Sequence, residues 1–204
     1  MKLYHTQIAP NARRARIFIA EKGLLENLEL ITVKLGDGEH KSADFLAKNP
    51  YATVPVLELD DGSFITESHS ISRYFESLSS GIKLFGETAK QQATIDMWQR
   101  RAELGVLFST GQYFHHATQG IGDDRYRNKE WGLHQQSQLL VHLAIMEKQL
   151  QHNPFLAGEI YSIADITLLC SLDFALHLNL LTLDDYPKLS RWHQEVSQRP
   201  SSAA

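Results

Sequence analysis

The chain has 204 residues, of which 43% are hydrophobic and 22% charged, with a formal net charge of −4. That is the composition of an ordinary water-soluble protein, long enough for one large or two small domains. No block of like charges suggests a nucleic-acid footprint, and no run approaches the roughly 18–20 apolar residues of a membrane span. The start of the sequence lacks the apolar core of a secretory signal, so a cytoplasmic protein is expected. A single cysteine, Cys170, excludes an intrachain disulfide and a Cys-x-x-Cys pair. It stands in the apolar run from Ile166 to Leu172 and reads as a buried core thiol.

The first 80 residues alternate strand-like and helical segments. Lys2 to His5 reads as a short strand and Asn11 to Gly23 as a helix ended by glycine. Leu28 to Val33 is strand-like, and Ser42 to Lys48 is a short helix closed by Asn49-Pro50. Val54 to Leu59 and Ser63 to Ile65 flank Asp60-Asp61-Gly62, a hairpin signal. A helix from about Glu67 to Leu78 completes a βαβαββα order, opening with a right-handed βαβ unit and ending in an antiparallel hairpin.

After Ser79-Ser80-Gly81 and Gly86-Glu87-Thr88 the strand pattern stops. Trp98, Arg101, Leu104 and Phe108 recur at helical spacing, as do Leu139, Leu143, Met146 and Leu150. Ser162-Ile163-Ala164-Asp165 has the form of a capping box, with Tyr161 and Ile166 placed for a hydrophobic staple. The helix it opens, to about Leu180, is apolar on nearly every side and is expected to be the core of the second half. Pro187 begins a last amphipathic helix carrying Leu189, Trp192 and Val196. The fold class is therefore α/β followed by all-α, with domains expected at 1–80 and 88–204.

Five pieces in order resemble the cytosolic glutathione S-transferase superfamily. They are Pro10 to Arg16, Gly38 to Pro50, Thr53-Val54-Pro55-Val56-Leu57, Thr66-Glu67-Ser68-His69-Ser70-Ile71 and Ser162 to Asp165. The resemblance is to phi-like and bacterial nu-like members and covers essentially the whole chain. It implies a thioredoxin-like glutathione-binding domain, a helical domain contributing the electrophile site, and a homodimer. It also implies a detoxifying transferase with glutathione as co-substrate.

Under that resemblance Val54-Pro55 is a cis bond, leaving the Val54 main chain to pair with the cysteinyl unit of glutathione as an added strand would. Glu67 and Ser68 stand at a helix N-terminus, where amides, hydroxyl and dipole can hold the γ-glutamyl carboxylate while Glu67 takes the α-ammonium. The plainer reading of Thr66-Glu67-Ser68 is a helix cap. Lys41, with His40, would reach the glycyl carboxylate, and Thr53 would make a weaker contact. Arg13 and Arg14 sit at the wrong end of a helix for cations; a solvated face or interdomain salt bridge is the expectation.

Transferase chemistry needs a thiolate, and a free thiol with pKa ~8.5 is only a few per cent ionised at neutral pH. The family supplies a hydroxyl donor after the first strand; here that position is Ala9. Asn11, the hydroxyl of Thr6, and the first amides of the helix are the substitutes, although Asn11 also suits a plain cap. Tyr4 is expected to face the core or support the loop.

The second substrate is expected between the domains, against Leu107, Thr110, Tyr113, Phe114 and His115, with His116 beside them. The adjacent histidines lack the i,i+4 spacing of a helical metal pair, so no metal is expected. Three functions follow: conjugation of glutathione to small hydrophobic electrophiles, glutathione-dependent peroxide or disulfide reduction, and non-catalytic ligand binding, the last favoured by Ala9. A protein-interaction role is disfavoured by the intact Glu67-Ser68 pair.

Overall fold

The structure is a computed structural model and describes residues 1–120 and 126–204. The chain divides into two units, Met1–Ile82 with Ala203–Ala204, and Lys83–Ser202.

The first unit contains β1 (Lys2–His5), α1 (Pro10–Glu21), β2 (Glu29–Thr32), α2 (Ala43–Leu46), β3 (Val56–Glu58), β4 (Phe64–Thr66) and α3 (Ser68–Leu78). Its four-stranded sheet has the order β2-β1-β3-β4. β1 and β2 are parallel, and the other two pairings are antiparallel. This is the thioredoxin-like arrangement.

Side chains alternate across the sheet as the pleat requires. Leu3 faces Leu57 in register, and both are fully buried on one side. Tyr4 and Val56 pair on the other, where Ala12, Val33, Phe45 and Val54 close a second apolar cluster. α1 packs on α3, burying Ala15, Phe18, Ile19, Ile71 and Phe75. Fully burying each such large side chain contributes about 1.5–3 kcal/mol, so packing far outweighs intrinsic helix propensity, which leaves an isolated helix as short as α1 marginal. Gly23, at φ 67°, ends α1 with its amide on the Ala20 carbonyl, the conformation only glycine adopts freely.

The second unit contains α4 (Ala89–Arg101), α5 (Phe108–Ala117), α6 (Lys129–Leu150), α7 (Ile163–His177) and α8 (Pro187–Ser197). Every residue from Ile163 to Leu172 is buried, as the all-round apolar sequence of α7 predicts. The Asp165 carboxylate accepts four hydrogen bonds: from the Leu156 amide (2.9 Å), Trp192 Nε1 (3.0 Å), the Ser162 amide (3.0 Å) and the Ser162 hydroxyl (3.0 Å). The capping box thus ties the start of α7 to the preceding loop and to α8. Burial pushes the Asp165 carboxyl up from 3.8 to about 6, against the downward pull of its donors.

The helical spacing around Arg101 misses one feature. Ala102–Leu107 forms a π-helical turn between α4 and α5. Gly105 lies in it, and a Cβ there would stand 2.7 Å from the His142 ring. The turn packs against α6 and α7, a contact between segments that no local periodicity encodes.

Candidate functional site

The sheet register brings the sequence-selected residues of the first unit to one end. Tyr4 pairs with Val56, and Val56 with Thr66, so the segments just beyond β1, just before β3 and just after β4 are neighbours. Those segments carry Thr6 to Asn11, Val54-Pro55 and Glu67-Ser68. The Val33 amide donates to the His5 carbonyl at 2.7 Å, so the segment leading to His40 and Lys41 also departs from this end.

The loop after β1 is held from below. Arg16 is almost fully buried; one of its terminal nitrogens lies 3.0 Å from His5 Nδ1 and donates to the Thr6 carbonyl at 2.9 Å, the other to the Gln7 carbonyl at 3.1 Å. Burial first, and then the Arg16 charge, hold the His5 imidazole below its ordinary range. Thr6 is buried and its carbonyl is committed to Arg16. The cap of α1 is Ala9, with Pro10 in the first turn. This corrects the alternative in which Asn11 is the cap: proline takes the first helical position, pushing the cap back to Ala9. Asn11 sits in the first turn, exposed, and among the described residues its side chain has no hydrogen-bond partner. The first intrahelical bond runs from the Arg13 amide to the Ala9 carbonyl at 3.0 Å, leaving the amides of Asn11 and Ala12 as helix-end donors.

Val54-Pro55 is a cis bond. Val54 and Pro55 are buried, and Thr53 is exposed. The turn before them is pinned by Asn49, whose Nδ2 donates to the Thr53 carbonyl (2.8 Å) and hydroxyl (3.0 Å). Glu67 is the cap of α3, with φ 65° and ψ 117°. It is exposed, and its side chain makes no capping bond. Ser68 begins α3, is 2% exposed, and accepts from Arg14 Nε at 2.6 Å. Arg14 is therefore a buried side chain, which corrects the expectation of a solvated face. No local signal marks this pairing, because its partners lie 54 residues apart. Lys41 is exposed and His40 buried.

Tyr4 belongs to the fold. Its ring meets Phe45 edge-on at 6.4 Å, and its hydroxyl donates to Glu58 at 2.6 Å. Burial, then that bond, push the phenol up to about 12, so it is no source of a proton or phenolate near neutrality. It borders an open cleft of about 260 Å³, lined also by Thr32, Glu39, Ser42 and Lys48, which contains none of the candidate ligand residues.

In the second unit, Tyr113, Phe114, His115 and His116 are half-buried along α5. Phe114 meets His115 at 5.1 Å and Phe174 at 5.4 Å, both edge-on. Leu107 is buried in the π-helical turn. Thr110 is fully buried, with its hydroxyl donated to the Val106 carbonyl at 2.8 Å, so it supports the helix and presents no free polar atom. Among the described residues, no cluster of His, Cys, Asp and Glu could hold a metal ion, and no helix is long and apolar enough to cross a membrane.

Residues 8–78 match the family described as Glutathione S-transferase, N-terminal domain, and residues 109–200 match Glutathione S-transferase, C-terminal domain. The chain is 40% identical to Glutathione S-transferase 2 of Saccharomyces cerevisiae, over 98% of this chain and 87% of the relative. It is 29% identical to the Disulfide-bond oxidoreductase YfcG of Escherichia coli, over 95% and 88%. A crystal structure of a glutathione S-transferase domain-containing protein from Marinobacter aquaeolei superposes with a TM-score of 0.95, at 40% identity, covering 98% of this chain and 99% of that one.

Proposed function

The chain belongs to the glutathione S-transferase family, and from that premise we propose that Asn11 and the first amides of α1 activate the thiol of glutathione for attack on small hydrophobic electrophiles. The observation that carries the proposal is the exposed Asn11 side chain, uncommitted among the described residues, at a helix end that has two spare amides and no acid in its first turn. A thiolate there gains hydrogen bonds and the helix dipole together, which lowers the thiol pKa by the same physics that binds any anion at a helix N-terminus.

The rest of glutathione is distributed along the sheet end. The Val54 main chain pairs with the cysteinyl unit. Glu67 takes the α-ammonium and Ser68 the γ-glutamyl carboxylate, while Lys41, with His40 behind it, meets the glycyl carboxylate. Thr53, held by Asn49, makes a lesser contact. The electrophile is bound through Leu107, Tyr113, Phe114 and His115, the ring contacts of Phe114 supplying apolar edges. Thr110 acts only by holding that helix. The glutathione-binding role belongs to the first 80 residues and the electrophile role to residues 88–204. A cytoplasmic homodimer is the proposed setting, and the exposed apolar side chains of Met97, Leu104 and Phe108 offer surface for the second subunit.

Reduction of small disulfides is the second reading. It is favoured by Ala9, which removes the hydroxyl, and by the named activity of the Escherichia coli relative. Two assays on the purified chain separate the readings: glutathione conjugation to a chloronitrobenzene, and glutathione-dependent reduction of a small mixed disulfide. Conjugation abolished by Asn11→Ala supports the first reading. Disulfide reduction without measurable conjugation overturns it.

A further inference from the structure

The proposed site assigns Ser68 to the γ-glutamyl carboxylate but leaves open what makes a serine a donor at that point. A hydroxyl has one proton and two acceptor lone pairs, and can serve a ligand in either sense. Here one lone pair is taken by Arg14 Nε at 2.6 Å, a charge-assisted bond between side chains 4% and 2% exposed. Among the described residues, nothing accepts the Ser68 proton. With its oxygen engaged by a cation, the hydroxyl is polarised as a donor and its proton is left for a ligand. The Ser68 carbonyl is fixed in turn by the hydroxyl of Ser72, fully buried, at 2.8 Å.

Arg14 is also an expensive residue where it stands. Its side chain is buried in the second turn of α1, and taking a guanidinium out of water carries a cost that its partners must offset. A buried cation bonded to Ser68 adds positive potential at the start of α3, which favours a carboxylate bound there.

We infer that Arg14 is the positioning residue for the γ-glutamyl end of the substrate: it orients the Ser68 hydroxyl as a donor and adds fixed positive charge behind the N-terminus of α3, so that the α-carboxylate is selected. This rests on the glutathione reading above.

The test measures, by calorimetry on the full chain, binding of glutathione and of γ-aminobutyryl-cysteinyl-glycine, which lacks only that carboxylate. Wild type prefers glutathione by about tenfold or more, the worth of one hydrogen bond to a charged group. In Arg14→Met the preference falls to about twofold, in Ser68→Ala likewise, and the double variant falls no further, since the two act as a unit. Arg14→Lys keeps charge and volume but sets a methylene where Nε stands, so its preference drops by about threefold; it decides the matter alone if the methionine variant does not fold. A residue that merely supports the fold changes both affinities together and leaves their ratio at the wild-type value; that outcome in either variant overturns the inference. If wild type binds neither peptide, or binds both equally, the glutathione reading itself is wrong.

Discussion

Glu67 is the residue where backbone and ligand chemistry can be separated most cleanly. At φ 65° and ψ 117° it holds a conformation sparsely populated by any residue with a Cβ, at a cost of about 1–3 kcal/mol. Glu67→Gly removes that cost but frees the unfolded chain, which offsets about 0.5–1 kcal/mol. Glycine is also nearly as good a helix cap, and the Glu67 side chain makes no capping bond to lose. The net expectation is a gain of about 0.5–2 kcal/mol in urea unfolding for Glu67→Gly and a change within about 0.5 kcal/mol for Glu67→Ala, which keeps the strained Cβ. With Glu67 as the proposed acceptor for the α-ammonium, glutathione affinity is expected to fall by about 10–100-fold in each variant. A glycine variant less stable than the alanine variant refutes the strain argument. Wild-type glutathione affinity in both refutes the ammonium contact.

Asp165→Ala leaves the Leu156 and Ser162 amides, the Ser162 hydroxyl and the Trp192 indole without their buried acceptor, and should cost about 3–5 kcal/mol in urea unfolding. The pH dependence of the same group follows from its raised value. Because the folded carboxyl titrates near 6 and the unfolded one near 3.8, the folded state holds the proton more tightly between those values. Its contribution is most favourable below about pH 4 and declines as pH rises to about 6, by roughly 3 kcal/mol, then levels. The stability difference between wild type and Asp165→Asn, measured from pH 4 to 7, should fall by that amount; a rise contradicts the assignment. Tyr4→Phe removes the bond to Glu58, costing about 0.5–1.5 kcal/mol, and leaves the conjugation rate within about twofold, because Tyr4 serves the sheet and not the thiol. A large loss of rate at unchanged stability would show the opposite.

Much of the first unit is legible from residue pattern alone. Alternation in Lys2 to His5, the Asp60-Asp61-Gly62 turn and the glycine after α1 each state a local preference, and the structure agrees with all of them. The capping box at Ser162 is equally local, with cap and acid three residues apart. Pro10 also carried a readable signal, since proline favours the first helical position and so displaces the cap to Ala9. What stays hidden in the sequence is contact between distant segments. The burial of Arg14 on Ser68, the hold of Arg16 on the loop after β1 and the π-helical turn at Gly105 all depend on which helix packs where. A charged side chain in an amphipathic pattern looks solvated until its partner arrives from another element. Thr110 shows the same blindness in reverse: its helical position looks suited to substrate, but its hydroxyl closes on its own helix.

The central claim is that this enzyme ionises glutathione without a side-chain hydroxyl at position 9, through Asn11 and the start of α1. The direct measurement is the ultraviolet thiolate absorbance of bound glutathione, titrated with pH, in wild type and Asn11→Ala. The bound thiol is expected to ionise at least about one unit below its solution value in wild type and to move back toward it in the variant, by about 1–2 units for the loss of one hydrogen bond to the thiolate. Equal thiol titration in the two proteins contradicts the role of Asn11, and titration as in free solution contradicts activation at this helix end altogether.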